Sequence, residues 1–367
     1  MNALKKFPKH LALGFLLVSG ALAASDEEKV LNIYNWADYI APDTISNFEK
    51  EFGIKVNYDL YDSTEVVEAK LLSGSTGYDV VFHGFRYSSR LIPIGVYREL
   101  DREQLPLIAN LDPWVLSMME AYDPGNRYGI PYMWGTTGFA YNVDMVAARM
   151  PDAPLRSAAM LFDPEVVAHF ADCGVSLLDE PTDVIPMVML YLGLDPNSLD
   201  PADLARAEAQ LKAVRPYIRY FSSTRMINDL PNEESCVAMS WSGDYASAMH
   251  RASEVGADVT LAYTAPAEGS MLWFDGIFIP ADAGHPANAH LFLNYLMRPG
   301  VIGDISNALF YANANAASTE FVLPIVANNA AVYPPMSERG RFDVGVIFGP
   351  KQERKRTRAW SRVKTGL

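Results

Sequence analysis

At 367 residues and a formal net charge of −14, the chain is acidic enough to disfavour nucleic acid and anionic membrane surfaces and to favour cationic partners. After the first 23 residues no stretch is long and apolar enough to span a bilayer. The roughly 340 residues that follow exceed one ordinary core, so about two domains are expected.

Taken in chain order, Lys5, Lys6 and Lys9 precede an uncharged apolar run from Leu11 to Ala23 that closes on Ala21-Leu22-Ala23. Residues 1–23 therefore read as a secretory leader with a small-residue cleavage site, too short for a membrane anchor. Leu31 to Tyr34 follows as a short strand. Asp43 or Thr44 then caps a helix carrying Ile45, Phe48 and Phe52 and stopped by Gly53. Ile54 to Leu60 is a second strand with Val56 and Tyr58 on one face. Ser63 caps a helix through Val66, Val67, Leu71 and Leu72, and Asp79 to Phe82 is a buried strand. This β-α-β-α-β order predicts a doubly wound sheet whose ligands sit at the carboxyl ends of strands, at Asn35–Tyr39 and His83–Tyr87.

The Gly-rich, aromatic stretch from Gly129 to Val143 suits a crossover between two halves, where glycines absorb a hinge's dihedral change. Further on, Ala202–Val214 reads as an amphipathic helix ended by Arg215-Pro216. Asp275–Pro280 is a buried strand and Pro286–Leu296 a helix. Lys351–Lys364 reads as a solvated or docking helix rather than a nucleic-acid arm. Cys173 and Cys236, an even count in an exported chain, favour one disulfide, with two buried free thiols as the alternative.

Catalytic and metal signatures are missing. No GxSxG, HExxH, Walker A loop or strand-following GxGxxG occurs, and His285 and His290 are wrongly spaced for zinc. No cofactor is expected. What recurs is tryptophan beside aspartate at strand ends: Trp36-Ala37-Asp38-Tyr39, Trp241-Ser242-Gly243-Asp244 and Trp273-Phe274-Asp275. A buried ammonium needs a carboxylate and hydrogen bonds, and an aromatic face adds ~0.5–2 kcal/mol. With Tyr311 and Asp183 as further candidates, these pairs read as a box for an aliphatic diamine or polyamine. Singly, each is an ordinary core tryptophan beside a capping aspartate.

Through nearly all of the expected mature chain the sequence resembles the periplasmic putrescine and spermidine binding proteins of Gram-negative bacteria. The likeness is carried by Ile33–Ile40, Ile130–Thr136, Tyr191–Asn197, Trp241–Asp244, Trp273–Asp275, Phe310–Ala314, Val332–Pro335 and Thr357–Trp360. It implies an α/β, two-lobe type II periplasmic-binding fold, each lobe a mixed, mostly parallel sheet flanked by helices. One lobe would comprise 26–133 plus 254–320 and the other 136–251 plus 323–367, with crossings near 134–136 and 252–254. It also implies a monomer without enzyme activity that holds a small amine in the cleft and delivers it to an inner-membrane ABC permease. By motif, Trp36, Asp38 and Tyr39 would line one end, with Asp38 towards an amine. Trp241, Asp244, Trp273 and Asp275 would line the other, with both aspartates on an ammonium. Tyr311 would wall the cleft, Ser223 would hydrogen-bond nearby, Asp183 would reach the amine through water, and Cys173 would pair with Cys236.

One segment departs from that pattern. Phe82-His83-Gly84-Phe85-Arg86-Tyr87 replaces a turn of small polar residues, with Gly84 where a ligand-contacting serine is usual. A cleft-facing Arg86 would repel a second ammonium by up to ~1–4 kcal/mol. That arrangement would re-address the pocket to an amine bearing a carboxylate or guanidino group, such as an acylated polyamine or agmatine. The alternative is an Arg86 turned to solvent or to a carboxylate. Two rival functions accompany the receptor: a hydrolase using Asp244 and Asp275 as a carboxylate pair, and a sensor for a ligand that is not an amine.

Overall fold

A computed structural model describes residues 27–346 and 348–366; the expected leader lies outside them. The strands are β1 Val30–Trp36, β2 Lys55–Tyr61, β3 Val80–Gly84, β4 Gly129–Asn142, β5 Val175–Leu177, β6 Ile218–Phe221, β7 Val237–Trp241, β8 Leu261–Thr264, β9 Ser270–Phe278, β10 Ala312–Asn313 and β11 Phe342–Val344. They form one hydrogen-bonded path, β2-β1-β3-β9-β4-β7-β5-β6, with β10 and β8 beside β4 and β11 beside β9.

The path bends through β4. Gly129–Thr136 pairs with β9, whereas Thr137–Tyr141 pairs with β7 and Phe139–Asn142 with β8. All 14 residues of β4 are buried, so this strand passes from one lobe to the other without leaving the protein interior. The outer strands pair in parallel, β1 with β2 and β3, and β5 with β6 and β7. The long inner strands add antiparallel pairs, β9 with β3 and β4, and β4 with β7 and β8. Parallel pairing thus dominates the flanks of a mixed sheet, and β11 adds one parallel pair to the inner strand β9.

The return to the first lobe lies further along the chain than the 252–254 expected from the sequence. Those residues end the Ser242–Glu254 helix, and the chain then still pairs as β8 with the second half of β4 before joining the first sheet at Ser270. Nor do residues 323–367 belong wholly to the second lobe. β11 pairs with β9, and the Tyr122 hydroxyl donates to the Gly345 carbonyl at 2.6 Å. Beyond this strap, the Pro350–Thr365 helix buries Trp360 and Val363 in the second core. The indole of Trp360 donates to Asp179 at 2.9 Å, so the basic tail is a docked helix.

Each lobe has its own apolar core. Leu31, Ile33, Phe48, Phe82, Tyr132 and Phe292 belong to the first, and Phe139, Phe162, Phe170, Val188 and Leu211 to the second. Burying each such side chain contributes about 1.5–3 kcal/mol. Of the local signals, Asp43 stands before the first helix without a side-chain cap hydrogen bond, whereas two others act as their chemistry dictates. Ser63 accepts from the Val66 amide to start its helix, and Gly53 closes the preceding one in the left-handed region at φ 65°. Cys173 and Cys236 form a disulfide, Cα–Cα 5.6 Å apart, between the residues that lead into β5 and β7.

Candidate functional site

The carboxyl ends of β1 and β3 and the middle of β9 meet beside the bend in β4. Asp275 on β9 stands opposite Gly84 at the end of β3. A Cβ at Gly84 would lie 3.4 Å from Asp275 Oδ1 and 3.1 Å from the Tyr87 ring, so the absent side chain leaves room for both. The Tyr39 hydroxyl, carried on the turn after β1, donates to Asp275 Oδ2 at 2.8 Å. Tyr39 is itself positioned by Tyr132, whose hydroxyl donates to its carbonyl at 3.0 Å.

Asp244 arrives from a different element, the first turn of the Ser242–Glu254 helix. It accepts from the hydroxyl of Tyr311, the residue before β10. The Tyr311 ring meets Trp273 edge-on at 5.1 Å and Tyr39 at 6.2 Å, which joins the two carboxylates through one aromatic wall. That wall depends on two glycines. A Cβ at Gly243 would meet the Tyr311 ring at 2.1 Å, and one at Gly135 would meet the Trp273 ring at 2.4 Å.

Electrostatics mark both of these acids. Loss of solvent pushes Asp244 and Asp275 up from the ordinary carboxylate range to about 6, and each is eased only by its one tyrosine hydroxyl. The Tyr311 hydroxyl is held well above its usual pKa by burial, then by Asp244 and Asp275 together. Tyr39 behaves alike, through burial and then Asp275.

Asp183 lies in the first turn of the Pro181–Tyr191 helix. It accepts from the Thr137 hydroxyl at 2.7 Å and from the Trp241 indole N–H at 3.3 Å. Trp36 ends β1 and packs on Tyr61 at 4.4 Å; its indole nitrogen and that of Trp273 have no hydrogen-bond partner among the described residues. Asp38 sits exposed in the following turn at φ 53°, and among the described residues no hydrogen bond ties it to the acid pair. Ser223 lies past β6 and is likewise not joined to these residues by a hydrogen bond. The Arg86 guanidinium donates to the Thr182 carbonyl at 2.9 Å, across the cleft.

Three participants escaped the sequence reading, Thr137, Glu180 and Thr182, while Tyr87 stood at the end of the expected His83–Tyr87 stretch without a role of its own. Thr137 was visible only as part of a Gly-rich crossover. Glu180 and Thr182 flank Pro181 at a helix start, where Pro at the first position is a common structural signal.

Comparison with known proteins agrees with this architecture. The profile of bacterial extracellular solute-binding proteins matches residues 43–334. The chain is 46% identical over 369 residues to the putrescine-binding periplasmic protein PotF of Escherichia coli strain K12, covering 100% of both chains. It is 41% identical over 360 residues to a putrescine/agmatine-binding protein of Pseudomonas aeruginosa strain PAO1, covering 97% of this chain and 98% of the other. Among solved structures, the spermidine/putrescine ABC transporter substrate-binding protein PotD of Streptococcus pneumoniae superposes with a TM-score of 0.79 at 25% identity, over 92% of this chain and 99% of that one. The fold is thus the two-lobed α/β fold of type II periplasmic binding proteins. On this fold and on full-length similarity, the chain belongs to the family of bacterial extracellular solute-binding proteins.

Proposed function

We propose that this chain is a periplasmic receptor of an ABC importer that captures a short polyamine of the putrescine class between its lobes and catalyses nothing. One observation carries the reading: Asp244 and Asp275 are both drawn out of water on one aromatic wall, and among the described residues no cation eases either. Desolvated carboxylates without a counter-ion are costly, and an ammonium ligand removes that cost. The faces of Tyr311, Trp273 and Tyr39 suit the methylenes and add a cation–π attraction. Trp36 and Asp38 are the proposed wall and acid for the far amine, and Gly84 leaves room beside Asp275. Asp183, held by Thr137 and Trp241, is a water-mediated contact, and Ser223 a peripheral one. The lobes, hinged on β4, would close over the amine, and a membrane permease would recognise the closed form. Residues 1–23 would be removed on export, and the receptor would act as a monomer.

The names of the relatives support the ligand class, since one binds putrescine and another putrescine or agmatine. The hydrolase alternative fits poorly. An acid–base pair works by driving its two pKa values apart, whereas burial brings both of these carboxylates to about 6.

Calorimetric titration of the mature protein, stripped of ligand by unfolding and refolding, tests the proposal. Putrescine, cadaverine, spermidine and agmatine form the panel. Binding of at least one free diamine at micromolar affinity or better, about 8 kcal/mol, is expected, with the amine recovered chemically unchanged. Absence of heat with every amine would overturn the reading, and turnover of a bound amine would revive the enzyme.

A further inference from the structure

Arg86 and Tyr87 stand in the first turn of the Phe85–Leu91 helix, just past β3, and both reach the opposite lobe. Arg86 Nη1 donates to the Thr182 carbonyl at 2.9 Å, and the Tyr87 hydroxyl lies 3.3 Å from Thr182 Oγ1. Thr182 immediately precedes Asp183, which is tied to Thr137 and Trp241. The guanidinium also presses on the C-terminal strap. A Cβ at Gly345 would meet Arg86 Nη1 at 2.9 Å, and the Gly345 carbonyl is itself fixed by Tyr122. Arg86 is thus wedged where both lobes and the strap converge.

The Tyr87 ring connects this point to the candidate amine site, because it lies against Gly84, whose other neighbour is Asp275. Glu180, two residues before Thr182, is half-buried and without a hydrogen bond to its carboxylate among the described residues. Burial, then Asp183, Glu65 and Asp179, push the Glu180 carboxyl up to about 8, and Arg86 is the group that pulls it back.

We propose that Arg86 is a built-in cation that occupies the Glu180 end of the cleft and thereby limits the length of amine it accepts. The proposal rests on the amine-binding reading above. A diamine whose ammonium sits at Asp244 and Asp275 stays clear of the guanidinium. A triamine extended along the Tyr87 ring would bring another positive charge against it, and like charges in a partly desolvated cleft repel strongly. Arg86 therefore performs with its side chain what a longer ligand would do with its outer nitrogen: it puts a positive charge at the Thr182 carbonyl, two residues from Glu180, and links the lobes.

Calorimetry with putrescine and spermidine on the wild type, Arg86→Ser, Arg86→Lys and the double variant Arg86→Ser/Glu180→Gln tests this. The spermidine-to-putrescine affinity ratio should rise about tenfold or more in Arg86→Ser. It should stay near the wild-type value in Arg86→Lys, which keeps the charge, and the gain should vanish in the double variant, which lacks the acid. Should Arg86→Ser not fold, Glu180→Gln alone reads the same pair, since an uncompensated Arg86 should lower the ratio further. An unchanged ratio in a folded Arg86→Ser protein, or in Glu180→Gln where that variant is needed, overturns the proposal while leaving the amine reading intact. A wild type that binds neither amine overturns the amine reading itself.

Discussion

Asp244 and Asp275 are ordinary carboxylates made unusual by where the chain puts them. Burial raises both to about 6, and a single tyrosine hydroxyl eases each. An ammonium binds the carboxylate and not the acid, so amine binding must pull both pKa values down and release protons wherever the free protein still holds them. Affinity for putrescine should therefore be flat above neutrality and fall below about pH 6, approaching tenfold per carboxylate per pH unit in the limit. Titrations from about pH 8 to pH 5, in two buffers of different ionisation heat, read both the fall and the proton release. The same shifts act oppositely on the ligand-free fold. Its folded-state pKa values lie above those of the unfolded chain, so these two groups favour folding more as pH drops through 6. A pH-independent affinity would mean that the ammonium sits elsewhere, with exposed Asp38 the next acid to examine.

At the level of elements, the site is built where backbones come close enough to press side chains together. Gly243 opens the Ser242–Glu254 helix directly beneath the Tyr311 ring, with no room for a Cβ. Replacing Gly243 by Ala should displace Tyr311, strip Asp244 of its hydroxyl and cost about 1–3 kcal/mol of stability from overpacking, measured by denaturant unfolding. Amine affinity should fall in the same variant, whereas an alanine at Gly340, where a Cβ meets nothing, serves as control. Part of this arrangement was legible in the sequence: Trp36 and Trp241 do end strands of the parallel flanks, where ligands sit, whereas Trp273 and Asp275, expected at a strand end, lie in the middle of antiparallel β9. The pairing of acids with hydroxyls was not legible. Tyr39 and Asp275 lie 236 residues apart, and nothing local matches one tyrosine to one aspartate. The direction of Arg86 was equally hidden, since its partner is a main-chain carbonyl on the other lobe, which no residue type advertises. The misplaced return has the same origin: the end of a helix near 252–254 is a local event, but which sheet the next strand joins is a tertiary one.

For the whole molecule, the interior of each lobe and the junction between them are held by different means. β4, the return between β8 and β9 and the β11 strap cross between lobes, and closure of the proposed receptor would bend β4 near Thr136–Thr137, where its pairing changes partner. The disulfide lies elsewhere. Cys173 and Cys236 lead into β5 and β7, both strands of the second sheet, and they close a loop with a sequence separation of 63. It therefore braces one lobe and places no restraint on the hinge. In the chain-entropy account, such a loop is worth about 4 kcal/mol through the unfolded state. A Cys173→Ser/Cys236→Ser variant should accordingly melt at lower temperature and unfold at lower denaturant concentration. Its putrescine affinity, measured well below the new melting temperature, should stay within about twofold of the parent's, because a cross-link that acts on the unfolded chain leaves the folded cleft unchanged. A parallel loss of affinity would mean that the second lobe needs its brace to present Asp183, Trp241 and Asp244 correctly, and that lobe stability and ligand capture are one property rather than two.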